Sequence, residues 1–107
     1  MSRLFVRSGN SIIPLAVESV TRFEAWGDYV TAHAGRARHV LHLSLNKLEE
    51  RLDPERFVRV HRTHIVNMAH VTAFRRQGRN RLVAELKDGA TIPVSRTKAA
   101  SLRGLGA

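Results

Sequence analysis

The sequence predicts a mainly β domain with one helix of roughly two turns mid-chain and a short helix at the C-terminus. Three observations predict it. Short runs in which apolar and polar residues alternate occupy most of the chain. Clusters of Gly, Asn, Asp and Ser divide these runs at hairpin-like intervals. The alternation gives way once, after Ser44, to leucines spaced three and four apart. The length of 107 residues fits a single domain over residues 1–107, and 43% apolar residues can bury a core. With only 6% aromatic residues, that core is expected to be mostly Val, Leu, Ile and Ala.

Taken in order, LFVR (4–7), the turn cluster Ser8-Gly9-Asn10-Ser11 and IIPLAV (12–17) read as a hairpin. Residues 20–26 are extended and Gly27-Asp28 punctuates them. In the next strand, 29–34, alternation puts Tyr29, Thr31 and His33 on one face and Val30, Ala32 and Ala34 on the other. After Gly35-Arg36-Ala37 the run 38–43 alternates basic and apolar residues. Leu45, Leu48 and Leu52 then form a helical stripe. Ser44 is its N-cap, because a serine hydroxyl accepts from a free amide of the first turn. Asp53-Pro54 ends it, because the residue before proline is pushed out of the α region. The strand pattern returns at Phe57 and continues through Val58, Val60, Ile65, Val66, Val71, Ala73 and Phe74. Gln77-Gly78-Arg79-Asn80 and Lys87-Asp88-Gly89 are turns around the strand 81–86, and 90–94 is the last strand. Ser95 caps a short helix carrying Arg96, Lys98, Leu102 and Arg103, and Gly104 ends it. The residues alone give about eight or nine strands.

The charge points to the partner. Eighteen Lys and Arg against nine Asp and Glu give a formal net charge of +9. Fifteen of those cations are Arg, whose planar fork matches phosphate and guanine edges. Residues 56–84 contain no acid, yet hold Arg56, Arg59, Arg62, Arg75, Arg76, Arg79 and Arg81. This surplus favours a polyanion, nucleic acid before an acidic membrane surface. No apolar run approaches the ~20 residues of a membrane-spanning helix. The N-terminus is interrupted by Arg7, Gly9, Asn10 and Pro14, unlike a secretion signal. The expectation is a cytoplasmic chain with no membrane partner. Without cysteine, disulfides and thiolate metal sites are excluded.

Catalysis and metal binding find little support. His61 and His64, like His39 and His42, are three residues apart and face opposite sides of a strand unless a bulge intervenes. No third and fourth ligand is evident, so neither metal nor cofactor is expected. No serine lies in a nucleophile elbow, and no glycine-rich phosphate loop is present. An enzyme is not expected. Three basic or projecting groups remain. Arg59, His61, Arg62 and Thr63 supply donors for phosphate, and Arg62 is long enough to reach a base edge. Ser95, Arg96, Thr97 and Lys98 open a helix whose free amides suit a phosphate. Gly27, Asp28 and Tyr29 form a third tip. In FVRVHRTHIVN (57–67), the apolar members are expected to anchor a strand while the basic members project from its end.

FVRVHRTHIVNMAHVTAF (57–74) resembles the hallmark segment of the LytTR DNA-binding domain, with its Phe-x-Arg-x-His-Arg-Ser/Thr-x-Ile/Val-Val-Asn run. FEAWGDYVTAH (23–33) is similar to the family's Tyr-Val stretch. LHLSLNKLEERLDPERF (41–57) is similar to its Ser-Leu helix and following Phe, and LKDGATIPVSRTKAASL (86–102) to its Lys-Asp-Gly and Pro-Val-Ser-Arg ending. The resemblance covers about residues 12–103, in order. It implies about ten short strands in antiparallel sheets and a bacterial transcription regulator that reads successive major grooves of double-stranded DNA through loops. It implies binding in pairs, one copy beside a second on direct repeats. It also implies the output role of a two-component response regulator, whose receiver domain is missing from this chain, or of a stand-alone regulator. Carried over by position, base contacts fall to Asp28 and Tyr29 beside Gly27, to the His61-Arg62 turn, and to Arg96. Backbone contacts fall to Ser44, Arg59, Thr63, Ser95 and Lys98. Asn67 and Val66 hold structure. Asp28, an acid at a DNA-facing tip, can accept from a cytosine amino group or simply fold its turn. The main rival is a β-rich RNA-binding module. Such modules stack bases on exposed aromatics, and most aromatics here fall at expected core positions. A protein-interaction or membrane-surface module using the basic face is a third reading.

Overall fold

The computed structural model describes residues 1–104. The elements follow in the order β1 (Arg3–Ser8), β2 (Ser11–Ala16), β3 (Arg22–Trp26), β4 (Tyr29–Ala34), β5 (Ala37–Leu41), α1 (Leu45–Arg51), β6 (Phe57–His61), β7 (His64–Asn67), β8 (Val71–Gln77), β9 (Arg81–Leu86), β10 (Thr91–Val94) and α2 (Arg96–Arg103). Single turns of 3₁₀ helix, Val17–Ser19 and Met68–His70, lead into β3 and β8. The mainly β architecture and both helices match expectation, as does the strand number implied by the family resemblance. Every strand pairing is antiparallel. The sheets are a β1-β2 hairpin, a five-stranded sheet ordered β5-β4-β3-β7-β6 and a three-stranded sheet ordered β10-β9-β8.

Both helices are capped as their sequences demand. Ser44 Oγ accepts from the Lys47 amide at 3.1 Å, and Leu45 and Leu48 are buried beneath α1. Leu52, extended at the C-cap, ends α1 just before Asp53-Pro54. Ser95 Oγ accepts from the Lys98 amide at 3.2 Å. The Ser95 amide donates to Val60 O at 2.7 Å, so the start of α2 is tied to β6.

Two cores lie on opposite faces of one hairpin. The larger gathers Leu4, Val6, Phe23, Val30, Ala32, Leu41, Leu48, Phe57 and Ile65 among others, with the Phe23 and Phe57 rings 5.9 Å apart. The smaller gathers Val60, Val66, Ala84, Leu86 and Ile92. Strands β6 and β7 serve both. Phe57 and Ile65 enter the first core while Val60 and Val66 enter the second, as odd sequence separations on a strand require. All four residues of β7 are buried.

This corrects the reading of 57–67 as one strand with a basic end, and places the turn that the family resemblance implied at His61-Arg62 one residue later. The segment is a tight hairpin, with Arg62 and Thr63 joining β6 to β7 and a register shift between Arg59 and His61. His61 and His64 are therefore cross-strand partners, with rings 6.4 Å apart, rather than residues on opposite faces of one strand. The basic members also do not all project. His64 is 8% exposed, and the Arg59 side chain is 19% exposed.

Asn67 closes this hairpin, at 3% exposure. Its Oδ1 accepts from the Ala69 amide at 3.0 Å, and its Nδ2 donates to Glu18 O at 3.2 Å and Val20 O at 2.9 Å. The amide thus joins the two 3₁₀ turns across the fold. Asn67→Ala leaves these buried groups without partners, and each such group costs ~1–3 kcal/mol. We expect the substitution to lower stability by about 2–4 kcal/mol in urea unfolding. A loss below about 1 kcal/mol would show that water replaces the amide.

Candidate nucleic-acid interface

The Arg62-Thr63 turn lies between two grooves. One, of about 580 Å³, is lined by His61, Ser95 and Arg96 together with the β8–β9 turn, including Arg79 and Arg81. The other, of about 370 Å³, is lined by Gly27, Asp28, Tyr29, Ser44, Asn46, Arg59 and Arg62. Distant sequence segments are thus brought together. The β3–β4 tip, the α1 N-cap and Arg62 share one groove, while His61 and the α2 start share the other. Thr63 and Lys98 line neither. Arg79 and Arg81 join the site because β8 and β9 extend beside the α2 start. Their only sequence signal was membership of the acid-free basic span. Arg75, from the same span, is instead paired with Glu85 at 2.9 Å.

The tip of the β3–β4 hairpin needs Gly27, whose φ of +58° is strained for any residue with a side chain. Trp26 and Tyr29 pair across it. Trp26 is 76% exposed and Tyr29 47%, while Phe5 on β1 is 72% exposed. This corrects the expectation that most aromatics are internal. The first two stand at the sheet's end, and Phe5 points outward between the buried Leu4 and Val6. Tyr29 packs edge-on against His42 at 5.1 Å.

Arg59 is turned back into the protein. Its guanidinium donates to Arg62 O at 2.7 Å, His61 O at 3.3 Å, Glu49 Oε1 at 3.3 Å and Asn46 Oδ1. It thus joins α1 to the carbonyls of the turn that carries Arg62. The Ala25 amide donates to Thr63 O at 2.8 Å and fixes the same turn from β3. Arg62 is exposed on this braced backbone.

Behind the turn lies a polar cluster with no sequence motif, drawn from β3, β4 and β7. His33 Nε2 is 2.9 Å from Glu24 Oε1, and Arg22 Nη1 donates to Glu24 Oε1 at 3.4 Å and to His64 Nε2 at 3.2 Å. Thr63 Oγ1 lies 2.9 Å from His64 Nδ1 and 2.7 Å from His61 Nδ1. Alternation along each strand, with the register Glu24↔His64, produces this convergence. Burial alone would raise the Glu24 carboxyl, but the His33 hydrogen bond and the charges of Arg22, His64 and His33 hold it below the usual range. His64 is lowered to about 4, first by burial and then by Arg22, His61 and His33, against the pull of Glu24. Among the described residues, no three His, Cys, Asp or Glu side chains are arranged to hold a metal ion. Nor is any helix there long and apolar enough to cross a membrane.

Residues 10–106 match the family model of the LytTr DNA-binding domain. The chain belongs to the LytTR family. Membership makes it a DNA-binding domain rather than an enzyme. The CO-responsive transcriptional regulator RcoM of Rhodospirillum rubrum is 39% identical over 103 residues, covering 87% of this chain and 44% of that protein. The sensory transduction protein LytT of Bacillus anthracis is 31% identical over 105 residues, covering 98% of this chain and 43% of that protein. The chain therefore spans less than half the length of these relatives. A solved LytTr DNA-binding domain from Bacillus cereus superposes with a TM-score of 0.88 at 26% identity, covering 98% of this chain and 96% of that one.

The buried cluster is expected to make this domain acid-sensitive. His64 titrates near 6.5 when unfolded and near 4 when folded, so between those values the unfolded chain binds more protons. Stability from keeping His64 neutral is therefore full above about pH 6.5 and lost as pH falls toward 4. Glu24, also depressed, adds a loss in the same direction below its ordinary value of 4.5. We expect unfolding free energy to drop by about 3 kcal/mol across the His64 window, and by distinctly less in His64→Gln. Parallel curves for the two proteins would remove His64 as the cause.

Proposed function

We propose that this LytTR domain binds double-stranded DNA sequence-specifically to regulate bacterial transcription, reading major-groove bases from the two grooves beside the Arg62-Thr63 turn. The observation that carries this reading is convergence. Separate segments place Asp28, Tyr29, Arg62, His61 and Arg96 along two adjoining grooves with a strongly basic surround. Arg62 and Arg96, both exposed, suit guanine O6 and N7, and Asp28 suits a cytosine amino group. Tyr29 supplies an amphipathic edge. Ser44, Ser95 and Lys98, with Arg79 and Arg81, are assigned to the DNA backbone. Arg59 and Thr63 contribute chiefly by holding the turn, since their polar atoms already have internal partners. A longest dimension of 48 Å exceeds one helical turn of duplex, ~34 Å, which suits contact with successive grooves.

The regulators among the relatives suggest the wider setting: output of a response regulator, with a receiver or other input domain, or of a stand-alone regulator. Two copies side by side on direct repeats would double the contacts. A second reading rests on the exposed Trp26 and Tyr29, which could stack bases of single-stranded RNA. Competition between such RNA and duplex DNA separates the two.

Selection from a random duplex library at near-physiological salt should enrich a short motif, and two copies about one turn apart if binding is paired. On that motif, Arg62→Ala and Arg96→Ala should each cost ~1–3 kcal/mol of specific binding while changing scrambled-duplex binding much less. Arg79→Ala and Arg81→Ala should weaken both duplexes alike and flatten the salt dependence. Retention without enrichment, vanishing as salt rises, would leave only a basic surface.

A further inference from the structure

His61 and His64 stand on a chain of hydrogen bonds whose direction is set at both ends. At the inner end, Arg22 Nη1 lies 3.2 Å from His64 Nε2. A guanidinium nitrogen only donates, so Nε2 accepts and the His64 proton sits on Nδ1. Glu24 Oε2, at 3.6 Å from the same Nε2, is too distant to claim a proton there. His64 Nδ1 then donates to Thr63 Oγ1 at 2.9 Å. The Thr63 hydroxyl hydrogen is left for His61 Nδ1 at 2.7 Å. At the outer end, the Thr63 backbone amide also reaches His61 Nδ1, at 3.2 Å, and an amide only donates. Both ends impose the same result. His61 Nδ1 is bare, and its proton is on Nε2. That ring lines the groove it shares with Arg96.

We propose that the Arg22–His64–Thr63 relay is a specificity device that locks His61 as an Nε2–H donor, so that His61 reads a hydrogen-bond acceptor on the base edge, a purine N7 first. This rests on the DNA-reading function proposed above. A donor-only ring cannot accept from the amino group of cytosine or adenine. Because guanine and adenine both present N7, His61 should accept either purine at its position and leave finer discrimination to Arg62 and Arg96. Thr63 acts as a positioning residue, since its hydroxyl touches the histidines and not the base. Arg22 is likewise positioning, acting two residues removed from the groove.

The test has two arms. Long-range ¹H–¹⁵N NMR of the imidazoles in the 107-residue chain, without DNA, reports each tautomer directly. The expected result is Nε2–H for His61 and Nδ1–H for His64, the latter being the minor tautomer of a free histidine side chain. Thr63→Val removes the 2.7 and 2.9 Å links and leaves only the 3.2 Å contacts at either end, so it should admit some of the other tautomer at each ring, while Thr63→Ser should keep the pattern. The opposite tautomer at either ring overturns the relay, whatever the DNA result. In the second arm, the selected duplex carries 7-deazapurine at each purine, or methylphosphonate at each phosphate, in turn. One 7-deazapurine should weaken wild-type binding roughly two- to tenfold, the range of one hydrogen bond, and leave His61→Ala unaffected. Thr63→Val should show a smaller loss there than Thr63→Ser. If a methylphosphonate shows that pattern instead, His61 contacts phosphate and the base-reading inference falls. If selection yields no motif, the proposed function fails and takes the base contact with it, while the NMR arm still judges the relay.

Discussion

The structure depends on one constraint: the β6–β7 hairpin is buried on both faces. Ile65 and Val66 are consecutive residues at essentially zero exposure, and a strand sends consecutive side chains to opposite sides. Both sides must therefore be covered by protein. The β1–β2 hairpin and α1 cover one, and the three-stranded sheet covers the other. A one-residue slip of β7 would exchange its two core residues and move Asn67 off its three partners, so the register is strongly specified. The Arg62-Thr63 turn reaches the surface between the two layers, and Arg62 is the exposed residue of this hairpin. That is why residues from β3–β4, α1, β8–β9 and α2 meet around it.

Buried polar groups then convert a fixed hairpin into a fixed turn. Arg59 donates to two carbonyls of the turn, the Ala25 amide to a third, and the Thr63 hydroxyl bridges two histidines. Loss of one member would leave others unsatisfied, so the network favours a single loop conformation. Arg22 Nε is its imperfection, a buried donor with no partner among the described residues. A turn held in this way loses little conformational freedom on binding, and long side chains carried on it lose only their own rotamers.

How much of this was legible in the sequence follows from the range of each interaction. The helix caps Ser44 and Ser95, the leucine stripe and the glycine turns act within a few residues, and their patterns sufficed. The histidine spacing misled, because His61 and His64 were placed along one strand when a two-residue turn had already reversed the chain. Arg-Thr carries no glycine, asparagine or proline to announce a turn. Nor could alternation reveal that Glu24, His33 and His64 converge, since that depends on the pairing of β3 with both β4 and β7. Asn67 was read only as holding structure. Its bond to Ala69 is local, but its bonds to Glu18 and Val20 span 49 and 47 positions. Most aromatics were expected at core positions, yet the exposure of Trp26 and Phe5 is decided by which end and which face of a strand they occupy.

Within this domain these observations separate two kinds of arginine. Arg59 has its charge absorbed by Glu49 and its donors by carbonyls, so removing it would act mainly on the shape of the turn. Arg62, three residues later, lends its carbonyl to that clamp and keeps its guanidinium exposed. The two are coupled through one peptide oxygen, so the direction in which Arg62 leaves the backbone depends on Arg59 being in place. Lysine would be a poor substitute at Arg59, because one ammonium cannot present the separated, planar donors that reach His61 O and Arg62 O together. Basic charge alone would attract DNA at either position, but only the forked group at Arg59 can also hold the Arg62-Thr63 turn.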